Sequence, residues 1–207
     1  DDLLILKDMN QEFVFENIDQ KPTLSILREF SAPVKLEFNQ SAGDLAFLAK
    51  NDNDLFNRYN ASQVIMTNCV KQAVEDLKEN KQVSLDNQIK ELFAATFADS
   101  SIDVSVLSTF LNFPATITLE QEYARSNPVL ILQAVKALMK LLAEEFEEEF
   151  KTLLVSLYNA DEKFEFNSLA VNKRRLVCTA INYLIKLNKQ EFVDFSLSVF
   201  NNTDNMT

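Results

Sequence analysis

Two periodicities divide this chain near residue 40. Before that point apolar residues come in short runs or alternate with polar ones. Leu3-Leu4-Ile5-Leu6 and Phe13-Val14-Phe15 flank the turn-prone Asp8-Met9-Asn10-Gln11, which predicts a β-hairpin. Val34, Leu36 and Phe38 alternate with Lys35 and Glu37, the pattern of a third strand with one wet face. So small a sheet is marginal alone and needs a further surface to lean on.

From Ser41 onward the apolar spacing is helical, with start signals at intervals. Ser41 with Asp44 can cap a short helix, and Asn53 or Asp54 can open a long one with the stripe Leu55, Tyr59, Met66, Cys69 or Val70, Ala73 and Leu77. Ser84 and Ser101 open a third and a fourth, the latter ended by Pro114, and Thr118 with Gln121 has capping-box spacing for a fifth. Asn127-Pro128 starts the longest apolar stripe, running to about Asn159 and roughly 48 Å long if unbroken. Two last helices cover about Ser168 to Leu187 and Gln190 to Phe200. The predicted class is mainly α, a superhelical stack of helices behind a small N-terminal antiparallel β segment, with at least seven helices after Ser41. No fixed period names a repeat family. The single glycine of 207 residues fits capped helices with short connections.

Composition narrows the chemistry. The chain has no histidine, which removes Ser-His-Asp and Cys-His arrangements and imidazole metal ligands, and one glycine excludes a phosphate-cradling loop. A formal charge of -11 argues against nucleic-acid binding. No apolar run is long enough to span a bilayer and no signal peptide is present, which suggests a cytoplasmic protein. Cys69 and Cys178 lie inside apolar helical runs and are expected to be reduced core thiols. Sequons at Asn39, Asn60, Asn201 and Asn205 would carry no weight in a cytoplasmic protein. The start at Asp1 without Met suggests an excised piece, and a mature or trimmed terminus would look the same.

The remaining candidates are charged or aromatic. Glu144, Glu145, Glu147, Glu148 and Glu149 read as the solvated side of a helix, with Glu147 and Lys151 an i,i+4 pair, rather than as a cation site. Lys173-Arg174-Arg175 is the only basic triplet. It could grip a carboxylate, but ion pairs with the acidic helix before it are the plainer expectation. Arg28 and Arg58 stand in runs suited to a domain interface. Of the 17 phenylalanines, Phe93, Phe97, Phe146, Phe150 and Phe192 have core spacing, whereas Phe13, Phe15, Phe30 and Phe38 are too many for a small sheet to bury. Catalytic, cofactor-binding and metal-ligating residues are all expected to be none.

Several segments resemble the zinc-dependent aminopeptidase N family of bacteria. Leu24-Ser25-Ile26-Leu27-Arg28 with Phe30-Ser31-Ala32-Pro33-Val34-Lys35 is similar to its Arg-Gly-Phe-Ser-Ala-Pro-Val strand segment, with Glu29 where glycine is usual. Asp52, Asp54, Phe56, Asn57, Arg58, Tyr59, Ala61 and Gln63 resemble its Asp-x-Asp-x-Phe-Asn-Arg-Trp-x-Ala-x-Gln pattern, with Tyr59 for Trp. Asn127-Pro128, Arg174-Arg175-Leu176 with Tyr183-Leu184, and Asn205-Met206-Thr207 continue the likeness. The resemblance implies that residues 1–39 end a β-sandwich-like domain and that 40–207 begin a C-terminal helical cap over the catalytic chamber, limiting access. It also implies a parent enzyme that removes N-terminal residues from peptides, with zinc held by an upstream HExxH helix and peptide amines held by an upstream GAMEN motif, none of it in this chain. The implied partners are peptide substrates and the catalytic domain in cis, with no nucleic acid or membrane, and self-association through residues 1–39 when that domain is absent. The other reading is a free-standing helical scaffold for protein–protein interaction.

Overall fold

Capping side chains set most of the helix starts in this protein, and the computed structural model describes residues 3–34 and 36–203. Ser41 and Asp44 make a reciprocal capping box at the start of α1 (Ala42–Asn51), and Asp54 accepts from the Asn57 amide to open α2 (Leu55–Lys78). The next two starts differ from expectation. Asp86 caps α3 (Asn87–Ala98) and Asp103 caps α4 (Val104–Leu111), each two residues after the serine expected to do so. A carboxylate is the stronger acceptor and also complements the positive helix end. The short α5 (Thr116–Glu120) begins at Ala115 without a side-chain cap, so the Thr118 and Gln121 spacing is not used.

The long stripe after Asn127 breaks. Asn127 caps α6 (Pro128–Glu145), Phe146 leaves helical geometry at φ -119° and ψ 32°, and α7 (Glu147–Leu157) begins immediately. Two causes converge on that residue. The Phe146 ring lies 6.0 Å from Phe93 and 5.6 Å from Phe97. The break also gives Glu147, Glu148 and Glu149 a helix N-terminus, where amide dipoles offset their repulsion. Asn167 caps α8 (Ser168–Leu184), a 3-10 turn follows at Ile185–Leu187, and α9 (Gln190–Asn202) ends the described chain.

The helices stack around α2, α6 and α8, with α1 on α2, α2 on α6, and both α4 and α7 on α8. At the centre Phe150 and Tyr183 stack at 4.4 Å, with Phe93 6.0 Å from the Tyr183 ring. The fully buried Tyr183 hydroxyl donates to the Leu111 carbonyl at 2.6 Å, tying α8 to the end of α4. Cys69 is in this core, but Cys178 is exposed, contrary to expectation. Leu176, Val177, Thr179 and Ala180 take the inward face of α8, and position 178 points out.

The expected strands are not formed. Residues 3–34 and 36–39 contain no strand, only a 3-10 turn at Arg28–Phe30. Leu3, Leu6, Val14 and Val34 remain more than half exposed. No second layer covers them, and a hairpin without one is marginal at best. The parts of the third-strand expectation that fall on Lys35, like the Asn205-Met206-Thr207 likeness, lie outside the described residues.

Candidate functional site: an acidic clamp on the leading segment

The densest polar arrangement lies where α1 gives way to α2. The Asp52-Asn53-Asp54 link carries two carboxylates that are almost wholly buried, and Asn57 follows one turn into α2. A chain reversal this tight needs local acceptors for its amides, and Asp52 supplies one by accepting from the Asp54 N–H at 2.9 Å. Each acid then has a second oxygen to offer, and both are spent on the leading segment.

Ser25 donates its hydroxyl proton to Asp52 Oδ2 at 2.5 Å and accepts from Asn57 Nδ2 at 2.8 Å and Arg28 Nη1 at 3.1 Å. One donor and two lone pairs are the whole capacity of a hydroxyl, so Ser25 is saturated. Arg28 Nη1 also pairs with Asp52 Oδ1 at 2.8 Å, and its Nη2 reaches Asn53. Asn57 uses its other amide proton on the Ile26 carbonyl at 3.1 Å. Asp54 divides its oxygens, one capping α2 and the other accepting from the Glu29 amide at 2.5 Å. Gln40 bonds the Leu24 carbonyl at 3.2 Å, and Thr23 reaches Asp44 at 3.3 Å. The Phe30 ring meets Phe56 edge-on at 5.3 Å.

Burial pushes the Asp52 carboxyl upward, but donation from Ser25, the Asp54 amide and Arg28 outweighs it, and the group lies below the usual carboxylate range. The geometry it holds is strained. Leu27, Glu29 and Phe30 have φ of 57°, 54° and 54°, the left-handed region that L-residues avoid. Four side chains of the α1–α2 junction thus fix a turn that the leading segment would not hold by itself.

Arg28 therefore does sit at the junction between the two parts, as its surroundings suggested. Arg58 does not. It is internal to the helices, donating to the Ala49 carbonyl at 3.2 Å and to Asp99 at 2.8 Å, with Phe110 under its guanidinium. Hydrogen bonds from Ser101 and Arg58 hold Asp99 at a pKa of about 2. Among the described residues the acidic helix pairs with Lys151 and Lys189 through Glu147, with Lys90 through Glu145 and with Lys140 through Glu144. The expected Glu147–Lys151 pair is present at 2.7 Å. Arg174 of the triplet stacks on Phe164 at 4.9 Å and donates to the Glu165 carbonyl at 3.1 Å. Asn53 and Ser25 were missed as site residues, because neither stands out until the fold brings them within reach of Arg28.

Among the described residues no three His, Cys, Asp or Glu side chains are grouped to hold a metal ion, and no helix is long and apolar enough to cross a membrane. A zinc centre does not fit this chain's residues, since histidine is absent and the two thiols lie on different helices.

The class these observations define is a stack of unequal helices with a short leading segment clamped to its first turn. Residues 42–207 match the profile of a domain of unknown function (DUF3458_C) described as ARM repeats, and residues 1–39 match one (DUF3458) described as Ig-like. The chain belongs to the DUF3458_C family of ARM-repeat domains. It is 28% identical over 176 residues to aminopeptidase N of Escherichia coli K12, covering 85% of this chain and 20% of that protein. Aminopeptidase N of Haemophilus influenzae is 22% identical over 206 residues, covering 100% of this chain and 23% of that one. That of Caulobacter vibrioides is 41% identical over 63 residues, 30% of this chain and 7% of that protein. The fold is that of part of Legionella pneumophila aminopeptidase A, solved in complex with aspartic acid, with a TM-score of 0.77 and 24% identity over 93% of this chain and 23% of that one. The chain spans about a fifth of the length of these relatives.

Proposed function

We propose that this chain is the non-catalytic helical cap, with its joining segment, of a zinc-dependent aminopeptidase that removes N-terminal residues from peptides in the cytoplasm. The observation that carries the reading is the clamp. Its residues are those of the aminopeptidase-like motif, Asp52, Asp54 and Asn57, and their bonds reach back onto Ser25, Ile26, Arg28 and Glu29. A saturated, buried linkage of this kind sets the angle between a helical stack and whatever the leading segment belongs to. In this reading the leading segment is the last part of an Ig-like unit, the helices close over the catalytic chamber and limit access, and zinc and the catalytic groups lie outside this chain.

The test is the product of the native coding region. It should hydrolyse alanyl-4-nitroanilide in a chelator-sensitive way, while the 207-residue chain alone should not. In the full product, Asn57→Ala should change the turnover of long peptides relative to the small anilide, since a loosened cap changes access more than chemistry. Inactive full product, or activity from the purified 207-residue chain, would sink the reading. The free-standing scaffold would then take its place.

A further inference from the structure

A groove of about 130 Å3 that shares no residue with the clamp lies between the end of α7, the loop to α8, α8 and α9. Its apolar lining comes from Leu157, Phe164, Val177 and Val199, with Cys178 beside them. Cavities of about 150 Å3 lined by apolar side chains take a benzene-sized group, so this one has room for a single apolar side chain. Its rim is cationic. Among the described residues Lys163, Lys173 and Arg174 line it against one carboxylate, Glu162, in a chain with 31 acidic and 20 basic residues.

Several cations elsewhere are already spent on carboxylates. Lys71, Lys90, Lys151 and Lys189 each reach a glutamate on another turn or helix. Lys163 and Lys173 enter no ion pair among the described residues, although neither is remote from the acidic loop Asp161–Glu165. Arg174 is already engaged by Phe164 and the Glu165 carbonyl, and it forms a wall of the groove rather than a free charge. Leu169 and Phe200, next along the same elements, are 58% and 76% exposed, so the apolar surface does not end at the groove.

We propose that this groove docks an acidic segment of a partner protein in which one apolar side chain is flanked by carboxylates. The apolar side chain enters between Val177 and Val199, and the flanking carboxylates meet Lys163 and Lys173. Charge complementarity selects the occupant. The chain as a whole carries a formal charge of -11, so an acidic segment is repelled by its net field and held here by the local cations.

The probe is a fluorescein-labelled heptapeptide with one leucine between two pairs of aspartates, titrated into the whole chain and followed by anisotropy at low salt. Its asparagine counterpart should bind at least tenfold more weakly. The double substitution Lys163→Gln, Lys173→Gln should weaken the aspartate peptide about tenfold or more, the size of lost charge-assisted hydrogen bonds, with the melting temperature unchanged. Because Cys178 lines the groove while Cys69 is buried, with burial pushing its thiol up to about 12, alkylation by iodoacetamide reports on the groove. Saturating peptide should slow modification of Cys178 severalfold. Equal binding of the asparagine peptide, unchanged affinity in the double variant, no binding at 1 mM, or unprotected Cys178 would each overturn the proposal.

Discussion

Replacing Glu29 with glycine should tighten the clamp. Glu29 holds φ at 54° with its side chain in solvent, so the side chain contributes little while its Cβ strains the turn. The left-handed conformation costs a non-glycine residue about 1–2 kcal/mol. Glycine returns about 0.5–1 kcal/mol of that through its greater freedom in the open chain. A net gain of about 0.5–1 kcal/mol follows, which is about two- to fivefold in the opening equilibrium. Global unfolding would report it poorly, because the segment can detach while the helices stay folded. Hydrogen exchange at Phe30 and Ser31 reads it directly, since their amides bond to the Leu27 and Arg28 carbonyls across the same turn at 3.1 and 3.0 Å. Glu29→Ala is the control. It removes the carboxylate but keeps the strain, and should leave exchange unchanged. Equal protection in the two variants, or faster exchange in Glu29→Gly, would refute the strain argument.

Arg58→Ala should cost about 2–3 kcal/mol in urea unfolding, because it removes a charged donor from both the Ala49 carbonyl and Asp99 and empties the space over Phe110. Tyr183→Phe should cost about 1–3 kcal/mol by orphaning the Leu111 carbonyl, with near-ultraviolet dichroism reporting any loss of the stacked core. Acid should open the clamp before the helices. The Asp52 carboxyl is depressed in the folded state, so its contribution is fully present above the unfolded value of about 3.9 and is lost as pH falls through the lower folded one. Cleavage between residues 24 and 31 by an acid-active protease should therefore rise below about pH 4, and Asp52→Asn should abolish that pH dependence. By itself the chain should self-associate through residues 3–39, whose Leu3, Leu6 and Val14 are exposed, and not through α7. Crosslinks confined to α7, or a monomer at high concentration, would contradict this.

The helices were legible because their signals are local. Capping side chains and a 3.6-residue stripe act within one or two turns, so Ser41, Asp54 and Asn127 marked their helices wherever the rest of the chain went. The break at Phe146 was not legible. The stripe runs straight through it, and the contacts of the ring with Phe93 and Phe97 come from a helix about fifty residues earlier. The strands failed for the opposite reason. Alternation marks which faces of a strand would be wet and dry, but it forms a sheet only when a dry face has something to cover it, and Leu3, Val14 and Val34 have nothing. The clamp was half legible, through Arg28 and the Asp-x-Asp spacing. Ser25 and Asn53 gained meaning only when the turn at Leu27 to Phe30 brought them within reach of Arg28.

Glutamate at position 29 adopts the left-handed conformation that glycine takes more readily, so the demand comes from the clamp and not from the residue. The Asp54 oxygen fixes the Glu29 amide, Asp52 and Asn57 fix Ser25 and Ile26, and the backbone between and beyond those anchors takes positive φ at Leu27, Glu29 and Phe30. Strain that survives in a sequence able to relieve it by one substitution is held by its surroundings. Relaxing the turn would swing Phe30 off Phe56 and free the apolar surface before it, turning a fixed joint between the leading segment and the helices into a hinge.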